Sequence, residues 1–117
     1  MKVIVAGSRT IANRGLIAKT MTDSGFQIDE AVCGCARGVD TEAAFIAKMR
    51  GIPVKEFPAN WDLYGKRAGH IRNSQMADYA DALILVWDGK SRGSANMLKQ
   101  AREKGLKIYE KVVEDLK

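Results

Sequence analysis

The chain has 117 residues, a length that fits one domain and hardly two. Its hydrophobic content of 46% is ordinary for a globular protein with a core, and no run approaches the roughly 18 apolar residues that a membrane span needs. The net charge of +5 and the pI of about 9.4 favour acidic partners such as phosphates, nucleotides or nucleic acid.

The start of the chain predicts a strand rather than a signal peptide. Residues 2–6 form an apolar run that Gly7 and Arg9 end too early for a secretory leader, so we expect a cytoplasmic protein. The two cysteines, Cys33 and Cys35, form a C-x-C pair, and the chain has only one histidine. These are too few ligands for zinc, so we expect reduced thiols, no metal site and no cofactor.

The first half of the chain alternates between strands and helices. Short apolar runs predict strands over residues 2–6, 29–33 and 53–57. Apolar positions at a helical spacing, followed by glycine, predict helices over residues 10–24 and 39–50. The third strand starts with a proline that cannot donate to a ladder, which indicates a position near an edge of the sheet.

A long loop and the most apolar segment of the chain come next. Residues 58–67 form the loop, and residues 68–79 are predicted to be a helix. Residues 82–87 are apolar throughout, a pattern typical of a strand that is buried on both faces, and we expect this strand at the centre of the sheet.

The last elements complete an α/β pattern. We predict a helix over residues 94–104 with Ser94 as its N-cap, a fifth strand over residues 106–109 and a charged tail over residues 111–117. The alternation of strands and helices along residues 1–117 predicts a single Rossmann-like domain. We expect about five mainly parallel strands in it, with helices on both faces.

Three strand-to-helix turns each combine glycine with a cation. They occupy residues 7–10, 34–40 and 88–94. Glycine lets the backbone approach a ligand closely, and the free N–H groups and the dipole of a helix N-terminus attract an anion. Such turns lie at the carboxyl ends of the strands, where ligands bind in folds of this class. We therefore expect Arg9, Arg37 and Arg92 to hold phosphates in one shared crevice.

The predicted ligand-binding residues lie in these turns, in the long loop and in the helix after it. They are Gly7, Ser8, Arg9, Arg37, Gly38, Asp40, Trp61, Lys66, Arg72, Asn73, Gly89, Lys90, Arg92, Gly93 and Ser94. Trp61 or Tyr64 would cover a base, and Asp40 would cap the second helix or bind a ribose hydroxyl. His70 is expected at the surface. No turn matches G-x-G-x-x-G or the Walker pattern, so ordinary dinucleotide or nucleoside triphosphate binding is not signalled.

A set of short motifs resembles a known superfamily. They are residues 5–9, residues 34–40, Trp61 with residues 64–66, Ala68-Gly69, Arg72-Asn73, Met76 and Gly93-Ser94. In these the chain resembles the SLOG superfamily, the Rossmann-like group that includes the Lonely Guy (LOG) phosphoribohydrolases and the DNA-processing protein A. Within it, the chain is similar to the small YspA-type, YpsA-related family. The resemblance implies a ligand such as a nucleotide, ADP-ribose or a related derivative.

The chain departs from the LOG pattern at its catalytic position. LOG enzymes carry P-G-G-x-G-T-x-x-E, and aligning Gly93-Ser94 with its Gly-Thr places Met97 where the pattern has Glu. A thioether can neither transfer a proton nor stabilise an oxocarbenium-like charge as a carboxylate does. No residue is therefore predicted to be catalytic, and we lean towards a protein without enzymatic activity.

These features favour a sensor, carrier or sequestering module that binds a phosphate-bearing nucleotide derivative. One alternative is a nucleotide N-glycosidase or phosphoribohydrolase that uses Asp40, Asp62 or Asp88. The other is a DNA-binding protein related to the DNA-processing protein A, which the positive charge fits. We expect a homodimer and no membrane partner.

Overall fold

The computed structural model describes residues 1–113, which form one five-stranded sheet with helices on both faces. The strands of this part of the chain are β1 (Lys2–Gly7), β2 (Glu30–Cys33), β3 (Val54–Glu56), β4 (Ala82–Trp87) and β5 (Lys107–Val112). The helices are α1 (Arg14–Asp23), α2 (Val39–Met49), α3 (Trp61–Tyr64), α4 (Ala68–Tyr79) and α5 (Arg92–Glu103), with a 3-10 turn at Gly65–Arg67 between α3 and α4.

All strand pairs are parallel, and the strand order is β3-β2-β1-β4-β5. The predicted α/β architecture is confirmed. β3 lies at an edge, as its leading proline indicates, and β4 lies inside the sheet with every residue buried. The middle position belongs to β1 rather than to β4, because β1 has two strands on each side, whereas only β5 lies beyond β4.

The two faces of the sheet carry separate apolar cores. Val3 and Val5 of β1 pack on the side of α1 and α2, whereas Ile4 and Ala6 pack on the side of α4 and α5. This split follows from the period of two in a strand, which sends successive side chains to opposite faces. Because both faces are covered, the middle residues of the interior strands are apolar, and β4 is apolar along its whole length.

Several boundaries differ from the predicted ones. α1 begins four residues later than predicted, because Asn13 is its N-cap and accepts a hydrogen bond from the backbone N–H of Leu16 at 3.0 Å. The predicted long loop contains α3, whose N-cap Asn60 accepts from Leu63 N at 3.0 Å. Ser91, not Ser94, caps α5 by accepting from Ser94 N at 3.3 Å.

The predicted charged tail is only partly outside the sheet. Lys111 and Val112 belong to β5, which runs three residues further than predicted, and residues 114–117 lie outside the described residues. Within residues 1–113, no helix has the length and apolar character that crossing a membrane requires.

Candidate functional site

The sheet reverses its order at β1. From β1 the chain proceeds outward through β2 to β3 and then crosses to β4 and β5 on the other side. The turns after β1 and β4 therefore meet, and two hydrogen bonds join them. Ser8 N donates to Val86 O at 3.1 Å, and Ser8 Oγ accepts from Asp88 N at 3.2 Å. In open α/β sheets, such a reversal is where ligands bind.

A crevice of about 420 Å³, which we call the switch-point crevice, opens at this place. Most of the predicted ligand-binding residues line it. They are Gly7, Ser8, Arg9, Asp40, Trp61, Lys66, Arg72, Asn73, Arg92, Gly93 and Ser94. The volume is within the range of small-molecule sites.

Four predicted residues lie outside this crevice. Arg37, which we predict to share one crevice with Arg9 and Arg92, lines an adjoining cavity that has Arg9 in common with the switch-point crevice. Its turn follows β2, one strand away from the reversal, and is therefore displaced towards β3. Gly89 and Lys90 also lie off the lining, in the tight turn after β4.

Gly38 does not line the crevice but lies against the backbone of Ser8 and Arg9, which do. Its φ is +75°, and a Cβ there would lie 2.4 Å from Ser8 O and 2.5 Å from Arg9 O. Only glycine permits both this backbone conformation and this close approach. Gly38 thus lets the second turn pack against the first.

Sequence reasoning missed several residues of the crevice. They are Ala6, Thr10, Ala36, Gly69, His70, Met76, Asp88, Ser91 and Met97. The spacing of Gly69, Met76 and the predicted pair Arg72-Asn73 is i, i+3, i+4, i+7, which is one face of a helix. That periodicity could have revealed the crevice-facing side of α4. His70 is exposed, as expected, yet it also lines the crevice.

Buried polar side chains concentrate at this edge of the sheet. Ser8, Asp40, Arg72, Asn73 and Ser94 are each no more than 9% exposed, and all five line the switch-point crevice. Buried polar groups are costly unless they find partners, so their accumulation at one place marks a constrained region.

Arg72 and Asn73 tie three elements together at this place. The Arg72 guanidinium donates through Nη1 to the carbonyl of Gly34 and through Nε to Asn73 Oδ1, the latter at 3.1 Å. Asn73 Nδ2 in turn donates to Gly93 O at 3.3 Å and to Asn96 Oδ1 at 3.0 Å. α4 thereby fixes the turn after β2 against the N-terminal part of α5.

Asp40 does not cap α2, contrary to one of its predicted roles. The N-cap is Gly38, and Asp40 lies inside the first turn, where its Oδ2 accepts from Ala36 N at 3.3 Å. Burial raises the pKa of Asp40 to about 6, while Arg72 and Arg9 oppose this rise through their positive charge. Burial also lowers the pKa of Arg72, which Asp40 partly offsets.

The cations of the crevice are not paired with carboxylates. Among residues 1–113, Arg9, Lys66 and Arg92 form no ion pair within 4 Å, whereas Arg14 and Lys104 elsewhere on the surface do. An unpaired cluster of cations raises the local concentration of anions and leaves its donors available to a ligand.

The turn before α5 prepares a helix N-terminus beside these cations. Asp88 Oδ1 accepts from Lys90 N at 2.8 Å and from Ser91 N at 2.9 Å, and these bonds lower the pKa of Asp88. Arg92 and Gly93, the first residues of α5, line the crevice. The helix dipole there adds to the attraction for an anion.

One part of the crevice wall is apolar and buried. Ala6, Met76 and Met97 line it, and Met97 is only 1% exposed. Where the LOG pattern places a carboxylate, this crevice therefore presents a thioether.

The pKa values of both cysteine thiols are raised, most strongly that of the buried Cys33. Burial raises the pKa of Cys33 to about 12, and partial burial together with the neighbouring Glu56 raises that of Cys35. Cys35 Sγ lies 3.5 Å from Glu56 Oε2. Within residues 1–113, no group of three His, Cys, Asp or Glu side chains is arranged to hold a metal ion.

Comparison with known proteins identifies a sequence relative and a structural relative. Gene 61 protein of Mycobacterium phage D29 is 28% identical over 116 residues, which span 92% of this chain and 93% of that protein. The fold is similar to that of DNA processing protein A from Streptococcus pneumoniae, with a TM-score of 0.76 and 20% identity. That match covers 93% of this chain but 49% of the other, so the chain spans about half the length of this structural relative.

The first half of the chain matches a known protein family. A family model described as "YspA, cpYpsA-related SLOG family" matches residues 1–64, which include β1, β2, β3 and the first two turns of the site. The predicted resemblance is confirmed: the chain belongs to the YspA, cpYpsA-related SLOG family.

Proposed function

We propose that this protein binds a phosphate-bearing nucleotide derivative in the switch-point crevice and acts as a sensor, carrier or sequestering module. The observation that carries the proposal is the set of unpaired cations Arg9, Lys66 and Arg92 around one crevice at the reversal of strand order. The SLOG family membership supports a nucleotide-related role.

In this proposal, different residues of the crevice contact different parts of the ligand. Arg9, Arg92 and the first N–H groups of α5 bind the phosphate, because anions gain most from charge-assisted bonds and the helix dipole. The exposed indole of Trp61, which lines the same crevice, stacks on the base. The apolar wall at Met76 and Met97 contacts the less polar part of the ligand.

Calorimetry with a panel of nucleoside monophosphates, nucleoside diphosphates and ADP-ribose tests this function. We expect one ligand per crevice and an affinity that Arg92→Ala weakens by about 1.5–3 kcal/mol, since a charge-assisted hydrogen bond is lost.

Arg102→Ala is the matched control, because Arg102 is an exposed arginine in the last turn of the same helix. It should change the affinity by less than about 0.5 kcal/mol. Absence of binding across the panel, or equal losses in the two variants, would contradict the proposal.

A second candidate function is a nucleotide N-glycosidase in which Asp40 acts as the acid. The specific observation is a crevice carboxyl whose pKa is raised to about 6, close to the pH at which a general acid must hold its proton. Asp88 also lines the crevice, whereas Asp62 does not. Release of free base from the same nucleotide panel, abolished by Asp40→Asn, would establish this function instead of simple binding.

A further inference from the structure

We propose that the cavity beside the switch-point crevice is a second phosphate subsite, and that the protein selects a nucleoside carrying phosphates at both its 5′ and 3′ positions. We call this cavity the Arg37 crevice. The inference rests on the proposed nucleotide binding and specifies the class of ligand.

All charged residues that line the Arg37 crevice are arginines. It measures about 360 Å³ and is lined by Arg9, Arg37 and Arg72, with no carboxylate among its lining residues in the described part of the chain. Arg37 and Arg9 are exposed and form no ion pair with residues 1–113. Asp40 partly offsets the charge of Arg72, whereas Arg9 and Arg37 keep exposed guanidinium groups that are available to an anion.

The backbone around this cavity forms a tight turn, in which Ala36 N donates to Asp40 Oδ2 at 3.3 Å. The lining includes residues 34–37, and Cys35 has a φ of +64°, which is uncommon for a residue with a side chain. Here the turn belongs to β2, whereas the turns of the switch-point crevice belong to β1 and β4.

The two crevices are neighbours with a common wall. Arg9, Ala36, Trp61 and Arg72 line both of them. A ligand that places one phosphate at Arg92 and another at Arg37 must therefore cross this common wall, of which Trp61 is a part. The part of the ligand that joins the phosphates then lies against the indole, which is 52% exposed and offers a stacking face.

This arrangement fits a nucleoside between two separated phosphates better than two adjacent phosphates. A pyrophosphate bound at Arg92 would leave Arg37, the one arginine that lines only the second cavity, without a partner. A nucleoside with 5′ and 3′ phosphates presents one group to each side of its sugar and leaves its base free to stack on Trp61. The same chemistry occurs in a free nucleoside bisphosphate and inside a single strand of nucleic acid.

Calorimetry at one fixed salt concentration with three probes tests the subsite. The probes are adenosine 5′-monophosphate, adenosine 5′-diphosphate and adenosine 3′,5′-bisphosphate. We expect the bisphosphate to bind about tenfold tighter than the monophosphate, since a second set of charge-assisted bonds forms. The diphosphate controls for added charge and should bind more weakly than the bisphosphate.

Two variants locate the effect. Arg37→Ala should reduce the ratio of the monophosphate to the bisphosphate dissociation constant from about ten to about one. Arg67→Ala should preserve the ratio, because Arg67 is a nearby exposed arginine that lines neither crevice. A ratio near one in the unmodified protein, or an unchanged ratio in Arg37→Ala, would overturn the second subsite.

The outcomes separate this inference from the proposed function. Binding of the monophosphate with a ratio near one overturns the second subsite and leaves nucleotide binding intact. Failure of every probe to bind overturns both. A fourth probe, the 5′-phosphorylated dinucleotide pApA, then distinguishes the sources: binding tighter than the bisphosphate indicates a strand of nucleic acid, and weaker binding indicates a free nucleotide.

Discussion

The guanidinium of Arg72 in α4 donates a hydrogen bond to the carbonyl of Gly34, the first residue after β2. Gly34 also leaves the space that this contact needs, because a Cβ on it would lie 2.7 Å from Arg72 Nη1 and 2.9 Å from Asp40 Oδ2. The buried side chains of Arg72 and Asp40 and the glycine beside them therefore constrain one another.

Gly34→Ala should destabilise the fold by about 1–3 kcal/mol, since the added methyl group must displace buried, hydrogen-bonded side chains. Backbone strain does not contribute, because Gly34 is not among the residues with positive φ. Urea denaturation measures the loss. Gly15→Ala is the control, as its Cβ would meet only Asn13 Oδ1 at 3.6 Å and alanine favours a helix. Equal stability of the two variants would show that the contact is unimportant.

Asp40→Asn should change how stability depends on pH. Burial raises the pKa of Asp40 from 3.8 in the unfolded chain to about 6, so the folded protein binds this proton more tightly. The stability from this group is fully present below pH 3.8 and is lost as the pH rises through about 6. Between pH 4 and pH 7, the wild type should lose up to about 3 kcal/mol relative to Asp40→Asn.

Urea denaturation of both proteins at the two pH values measures this difference, and all other titrating groups cancel in the comparison. Asparagine keeps an acceptor for the N–H of Ala36, so the hydrogen bond of the turn is retained. A difference between the two proteins that is constant from pH 4 to pH 7 would mean that Asp40 titrates normally.

Asn13→Ala should cost about 1 kcal/mol of folding stability, because Asn13 caps the N-terminus of α1. Thr10→Ala should cost much less, since Thr10 precedes the helix and is exposed. Thermal unfolding of the two variants compares them directly. The reverse order would place the start of the helix at the residue that its sequence pattern suggests.

Met97→Leu should leave nucleotide affinity within about tenfold and reduce stability by less than about 1.5 kcal/mol, because the two side chains have similar volumes. Met97 is buried in the crevice wall and the core next to it, and a thioether takes no part in proton transfer. Calorimetry and chromatography of the same nucleotide mixture measure binding and turnover together. A loss of turnover in this variant would assign Met97 a role in catalysis.

The accuracy of the predicted elements follows the strength of their local patterns. The bounds of β4 and α4 are as predicted, because one is a continuous apolar run and the other a uniform helical period that ends before an extended residue. The predicted start of α1 was four residues too early. Residues 10–13 fit a helical pattern, but the capping hydrogen bond forms at Asn13, so the helix begins after it. Short elements such as α3 depend on a single cap, and that signal is weak within a loop.

The sequence by itself determined the fold class, the family and the three turns at one edge of the sheet. It did so because periodicity, glycines and caps act over a few residues, and because parallel strands bring their carboxyl ends to one side. Only the tertiary structure decided which turns share a cavity. Strand order separates Arg37 from Arg92, and packing buries Asp40 beside Arg72. Both results depend on contacts between residues far apart in the chain, which no local pattern encodes.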